Sequence, residues 1–100
     1  MSKVRIKVLK IVIHQDLIDE YEIKGVEPCP MKLGDTFISL DGEMPKGFCV
    51  EAWRCIEEYV KRLSKGETNI FGKWLKNEKS LTLSCNDGCR PVSFLIEVIE

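Results

Sequence analysis

A chain of 100 residues, 44% apolar and 31% charged, has the hydrophobic content of one folded domain and too little length for a second. At that size roughly 60–70% of the unfolded surface is buried, which supports one modest core and no large internal active site. A net charge of −1 gives no global attraction to nucleic acid or acidic membranes, and no apolar run approaches the ~20 residues of a membrane helix.

The opening MSKVRIKVLK breaks its apolar residues with charges, unlike a signal peptide, so a cytoplasmic protein is expected. Val4, Ile6 and Val8 alternate with Lys3, Arg5 and Lys7, the period of a half-buried strand over residues 3–13. Beyond Leu9 the apolar set shifts to Leu9, Ile11 and Ile13, which predicts a β-bulge near Leu9 and Lys10. The Lys3, Arg5 and Lys7 row reads as a solvated face, or a guard on an edge strand, rather than a nucleic-acid contact. Residues 15–24 suit a short helix, with Asp16 as cap, Leu17, Ile18 and Tyr21 at helical spacing and Gly25 as stop.

Pro28 and Pro30 then hold Cys29 in extended backbone. Gly34-Asp35 is a turn into a short strand at residues 36–40, and Asp41-Gly42 is a turn out of it. The strongest helix is residues 48–65, where Cys49, Ala52, Trp53, Ile56, Val60 and Leu63 make one apolar face and Gly66 ends it. In the polar stretch 67–80, Phe71, Trp74 and Leu75 suggest one short helical turn dropping anchors onto the core. Residues 81–85 and 91–99 read as two strands joined by the tight turn Asn86-Asp87-Gly88. The order β, α, β, α, β, β predicts a single α+β domain over residues 1–100. Its sheet has about four strands, mostly antiparallel or mixed, with the long helix on one face and the short helix near residues 15–24. A Lys- and Glu-rich charge set with a single Gln points to a thermophilic source.

Cys29, Cys49, Cys55, Cys85 and Cys89 carry the functional signal. An odd number leaves at least one thiol free, and a cytosolic setting favours packing, ligand or nucleophile roles over disulfides. Cys85 and Cys89 would face each other across the tight turn, close enough for a disulfide but equally readable as a strand residue and a turn residue. Cys49, in the first turn of the long helix, lies where the dipole lowers a thiol pKa, although it also begins the apolar face. Cys55, about 240° around the helix from Cys49, is a bystander. Cys29 is followed by proline, as in some iron–sulfur loops. Thus Cys29, Cys49 and Cys85 each stand at an element boundary, where sites are built.

His14 is the only histidine, so histidine-pair metal sites are excluded. No context marks it as a catalytic base, and a surface or core-edge role is expected. No Gly-rich phosphate loop is present. Arg90 can serve an anion, but the turn Asp87-Gly88-Cys89-Arg90-Pro91 accounts for it without one. Trp53 and Trp74 read as core or rim residues.

The stretches CPMKLGDTF at 29–37, MPKGFCVEAWRCI at 44–56 and CNDGCRPVSFLIEVI at 85–99, with the opening KVRIKVLK, resemble a family of small prokaryotic proteins of about this length, known only as conserved hypotheticals. The resemblance covers most of the chain. Its pattern carries over to Cys29, Cys49 and Cys85, and to Gly34, Gly47, Trp53, Asp87, Gly88, Arg90 and Pro91, while Cys55 and Cys89 lie outside it. It implies that the three cysteines belong together and implies no reaction.

Three functions follow as expectations. In the first, Cys29, Cys49 and Cys85 converge on zinc, on an iron–sulfur cluster or on redox chemistry. In the second, the chain is a non-catalytic interaction module, such as a homodimer, with structural cysteines. In the third, Cys49 is a nucleophile, but no base is identifiable, so the balance lies against an enzyme.

Overall fold

The computed structural model describes residues 2–27 and 29–99. Pro28, half of the proline pair expected to stiffen Cys29, lies outside the described residues. The elements are β1 (Lys3–Ile11), α1 (Gln15–Tyr21), β2 (Thr36–Leu40), α2 (Val50–Ser64), β3 (Ser80–Ser84) and β4 (Val92–Val98). They build the expected α+β fold. One four-stranded sheet, ordered β2-β1-β4-β3 and antiparallel throughout, carries α2 on one face.

The core is the meeting of two periodicities. Val4, Ile6 and Val8 of β1, Leu81 of β3, and Val92, Phe94 and Ile96 of β4 point to one side of the sheet. Ala52, Trp53, Ile56, Val60 and Leu63 of α2 cover them. Each fully buried Ile, Leu, Val or Phe in this layer contributes roughly 1.5–3 kcal/mol. Ion pairs Lys61–Glu57, Arg62–Glu58 and Arg54–Glu51 lie on the solvent side of α2, where such pairs are worth under about 1 kcal/mol.

The bulge falls where the apolar phase shifts. The β1–β4 register slips between Val8 and Lys10, so Leu9 is the extra residue and Ile11 rejoins the core side opposite Val92. β1 is a central strand, with β2 and β3 at the edges, so its basic row guards no edge. Arg5 instead pairs across the strands with Glu97 of β4.

Three local expectations are corrected. α1 is shorter than residues 15–24: His14, not Asp16, is its N-cap, it ends at Tyr21, and it buries no side chain. α2 starts at Val50, with Cys49 as N-cap rather than within the first turn. The stretch 67–79 forms turns without a helix; Trp74 is 66% exposed, and its indole N–H donates to the Phe71 carbonyl instead of anchoring to the core. Phe71 stacks on Trp74 and meets Tyr59 of α2 edge-on, and Ile70 and Leu75 are the residues of this stretch that pack against the core.

Candidate functional site

Cys49 is placed by the residue before it. Gly47 takes φ +81°, a left-handed turn that glycine adopts without strain, and delivers Phe48 into the core. The Phe48 ring lies 5.0 Å from Phe37, 5.5 Å from Phe94 and 6.1 Å from Trp53. Residue N′ packing on residue N4 is a hydrophobic staple, which fixes where the helix begins. Cys49 is therefore held at the N-terminus of α2, and its side chain makes no capping hydrogen bond.

Cys29 is placed by a loop tied to the bulge. The Gly34 amide donates to the Val8 carbonyl at 3.0 Å, and the Val8 amide donates to the Asp35 carbonyl at 2.8 Å. Asp35 also accepts from the Lys32 amide at 3.0 Å. Met31 is buried in the core, which draws Cys29 in beside it. Cys85 follows β3 directly. Its amide donates to the Val92 carbonyl at 3.0 Å, and its sulfur accepts from the Val92 amide at 3.3 Å.

That last pairing corrects the tight turn. The ladder continues through Cys85 and Val92, so the connection is residues 86–91 and Cys89 does not face Cys85 across it. Asp87 organises this longer loop by accepting from the amides of Cys89 and Arg90 at 2.8 and 2.9 Å. Those two amides, Arg90 first, hold its carboxyl below the usual range. All five cysteines are free thiols.

The three element-boundary cysteines reach one place. Cys29, Cys49 and Cys85 all line a cavity of about 190 Å³. Its apolar wall is Ala52, Val92 and Phe94; Glu51, Asn86, Asp87 and Arg90 supply its polar rim. Burial is the first cause that pushes the Cys29 thiol up; the Met31 backbone draws it partly back. Cys49 and Cys85 raise it further. His14, at the start of α1, is not in the cavity wall.

Cys55 is spent locally: its thiol meets the Glu51 carbonyl one turn back at 3.3 Å. Cys89 belongs to a second cluster that sequence reasoning missed. Among the described residues, the group of three metal-ligand types whose donor atoms all lie within 4.8 Å of one another is Glu22, Asp87 and Cys89, which includes none of Cys29, Cys49 and Cys85. Arg90 already occupies that cluster. Its Nη1 donates to both oxygens of Glu22 at 2.8 and 2.9 Å, and both side chains are under one-fifth exposed. Desolvation, then Glu22, pushes the Cys89 thiol up. The Glu22–Arg90 pair spans 68 positions and obeys no local pattern, so only the fold could reveal it.

No family model, no curated protein and no solved structure matches the chain. No helix among the described residues is long and apolar enough to cross a membrane.

Proposed function

We propose that this chain is a small thiol-site protein in which Cys29, Cys49 and Cys85 together bind a metal centre. One observation carries the reading: three of five cysteines, from a loop, a helix N-cap and a strand end, line a single cavity. Forming the Cys29 thiolate carries a cost, set first by burial and then by Cys49 and Cys85. A bound cation removes it, because metal binding and thiol deprotonation are coupled. The remaining two cysteines have local partners that account for them. No histidine lines the cavity to activate Cys49 as a nucleophile, and its carboxylates Glu51 and Asp87 pair with Arg54 and with loop amides, so binding is favoured over catalysis.

Native mass spectrometry on protein purified without oxygen tests this. A mass excess matching zinc, copper or an iron–sulfur cluster, lost on Cys29→Ala, is expected. The bare polypeptide mass after incubation with each metal would defeat the reading.

A second reading, an interaction module that forms a homodimer, is favoured by exposed apolar side chains. Tyr21 and Ile23, at and after the end of α1, are 77% and 82% exposed, and Leu33 in the loop before β2 is 70% exposed. A concentration-dependent mass in sedimentation would support it, and a strict monomer up to millimolar protein would count against it.

A further inference from the structure

β2 is an edge strand, with β1 on one side only. The ladder tells which of its backbone groups face the open edge. The Asp41 amide donates to the Ser2 carbonyl at 3.1 Å, and the Val8 amide donates to the Asp35 carbonyl at 2.8 Å. Between those two bonds the register pairs Val4 with Ser39 and Ile6 with Phe37. Bonded and non-bonded pairs alternate along an antiparallel ladder. Phe37 and Ser39 therefore bond to β1, while the amides and carbonyls of Thr36, Ile38 and Leu40 point outward. The Leu40 carbonyl accepts the Glu43 amide at 3.1 Å and keeps a second lone pair.

Natural edge strands are guarded by a charge, a proline or a bulge. The sequence TFISL carries no charge and no proline, and its register with β1 runs unbroken from Thr36 to Leu40. On the sheet face away from α2 it presents Thr36, Ile38 and Leu40, and the two apolar side chains are 39% and 44% exposed. The β3 edge differs. Its Ser80 amide is turned back to the Asn77 carbonyl at 3.2 Å, and Ser80, Thr82 and Ser84 carry hydroxyls on the face where β2 carries Ile38 and Leu40.

The outward groups of β2 also read the same in both directions. Thr36 and Leu40 are evenly spaced about Ile38, so a second β2 running antiparallel pairs Ile38 with Ile38 and Thr36 with Leu40. Every outward amide then meets an outward carbonyl. Charge does not oppose this pairing. Lys3 and Lys7 lie one strand in from the edge, so the β1 strands of two copies stand about 14 Å apart, three spacings of roughly 4.8 Å. That exceeds the Debye length of about 8 Å at physiological salt. Arg5, which faces its own counterpart across the pair, is already matched by Glu97.

Resting on the interaction reading above, we infer that a second copy of this chain docks on the β2 edge, antiparallel about a two-fold axis at Ile38, so that two four-stranded sheets become one. The backbone groups of Thr36, Ile38 and Leu40 supply the register, and Ile38 against Ile38, flanked by Leu40 against Thr36, supplies the apolar contact.

The test is amide hydrogen exchange of the full chain at low and high protein concentration, read by NMR beside sedimentation equilibrium. A dimer is expected at high concentration, in which the Thr36, Ile38 and Leu40 amides gain protection and the Thr82 and Ser84 amides of the other edge do not. Ile38→Lys sets two like charges directly opposite at the axis and should weaken dimerisation at least about tenfold, whereas Thr82→Lys should leave it unchanged. Circular dichroism of each variant separates lost association from lost fold, and the wild-type exchange pattern depends on neither variant. A dimer whose Thr36, Ile38 and Leu40 amides exchange as fast as in the monomer, or one that a folded Ile38→Lys chain still forms equally well, would overturn the edge assignment and leave the interaction reading standing. A strict monomer up to millimolar protein would overturn both.

Discussion

The connection that follows Cys85, residues 86–91, contributes to two clusters. In one, Cys85 meets Cys29 and Cys49 around a cavity with an apolar wall. In the other, Glu22, Asp87 and Cys89 gather within 4.8 Å, the tighter grouping of ligand-type atoms. The tighter group is the poorer candidate. Its cation is already present as the Arg90 guanidinium, and the Asp87 carboxylate closes the loop's own backbone. The thiol side has an accessible volume and three free thiols lining it. Proximity of donors thus counts for less than whether the protein has satisfied them itself.

That contrast can be broken most severely through its scaffold. Phe48→Ala removes the staple shared by Phe37, Phe94 and Trp53, and a loss of about 3–5 kcal/mol in chemical denaturation is expected. The start of α2, and with it Cys49, should lose its position. Next, Glu22→Ala leaves the Arg90 guanidinium partly buried and unpaired, which should cost about 1–3 kcal/mol. Because Glu22 is outside the thiol cavity, metal stoichiometry in that variant should stay as in the wild type.

Acid should sharpen the comparison from the same side. The Asp87 carboxyl is held low by the Arg90 and Cys89 amides. Its stabilisation is therefore complete above the ordinary carboxyl pKa of about 4 and fades as pH falls through its lower native value. Denaturation curves should show a wild-type advantage over Asp87→Ala at pH 6 that narrows below about pH 4. The smallest effect is Cys55→Ala, at under about 1.5 kcal/mol, since it gives up a half-exposed thiol contact with the Glu51 carbonyl. Metal binding should be untouched.

Much of this was legible because each element carries its own period. The alternation in β1, its phase shift at Leu9 and the apolar stripe of α2 are local facts, and the bulge and helix sit where those periods place them. Misreadings came where a tertiary partner outweighs local chemistry. Asn86-Asp87-Gly88 looks like a tight hairpin turn, yet Val12 and His14 beyond β1 donate to Pro91 and Cys89 and hold the connection open as a longer loop. Trp74 looks like an anchor, yet its indole finds the Phe71 carbonyl at the surface. Element boundaries pointed to Cys29, Cys49 and Cys85, whereas Glu22 carried no sequence signal because its partner lies in a distant loop.

The central claim is that three thiols form one site and two do not, and differential alkylation measures it directly. The folded protein, with and without one equivalent of Zn(II), is treated with a small maleimide and each cysteine is read by peptide mass spectrometry. The account predicts that metal protects Cys29, Cys49 and Cys85 together while Cys55 and Cys89 react at unchanged rates. Protection of Cys89, or equal protection of all five, would contradict it.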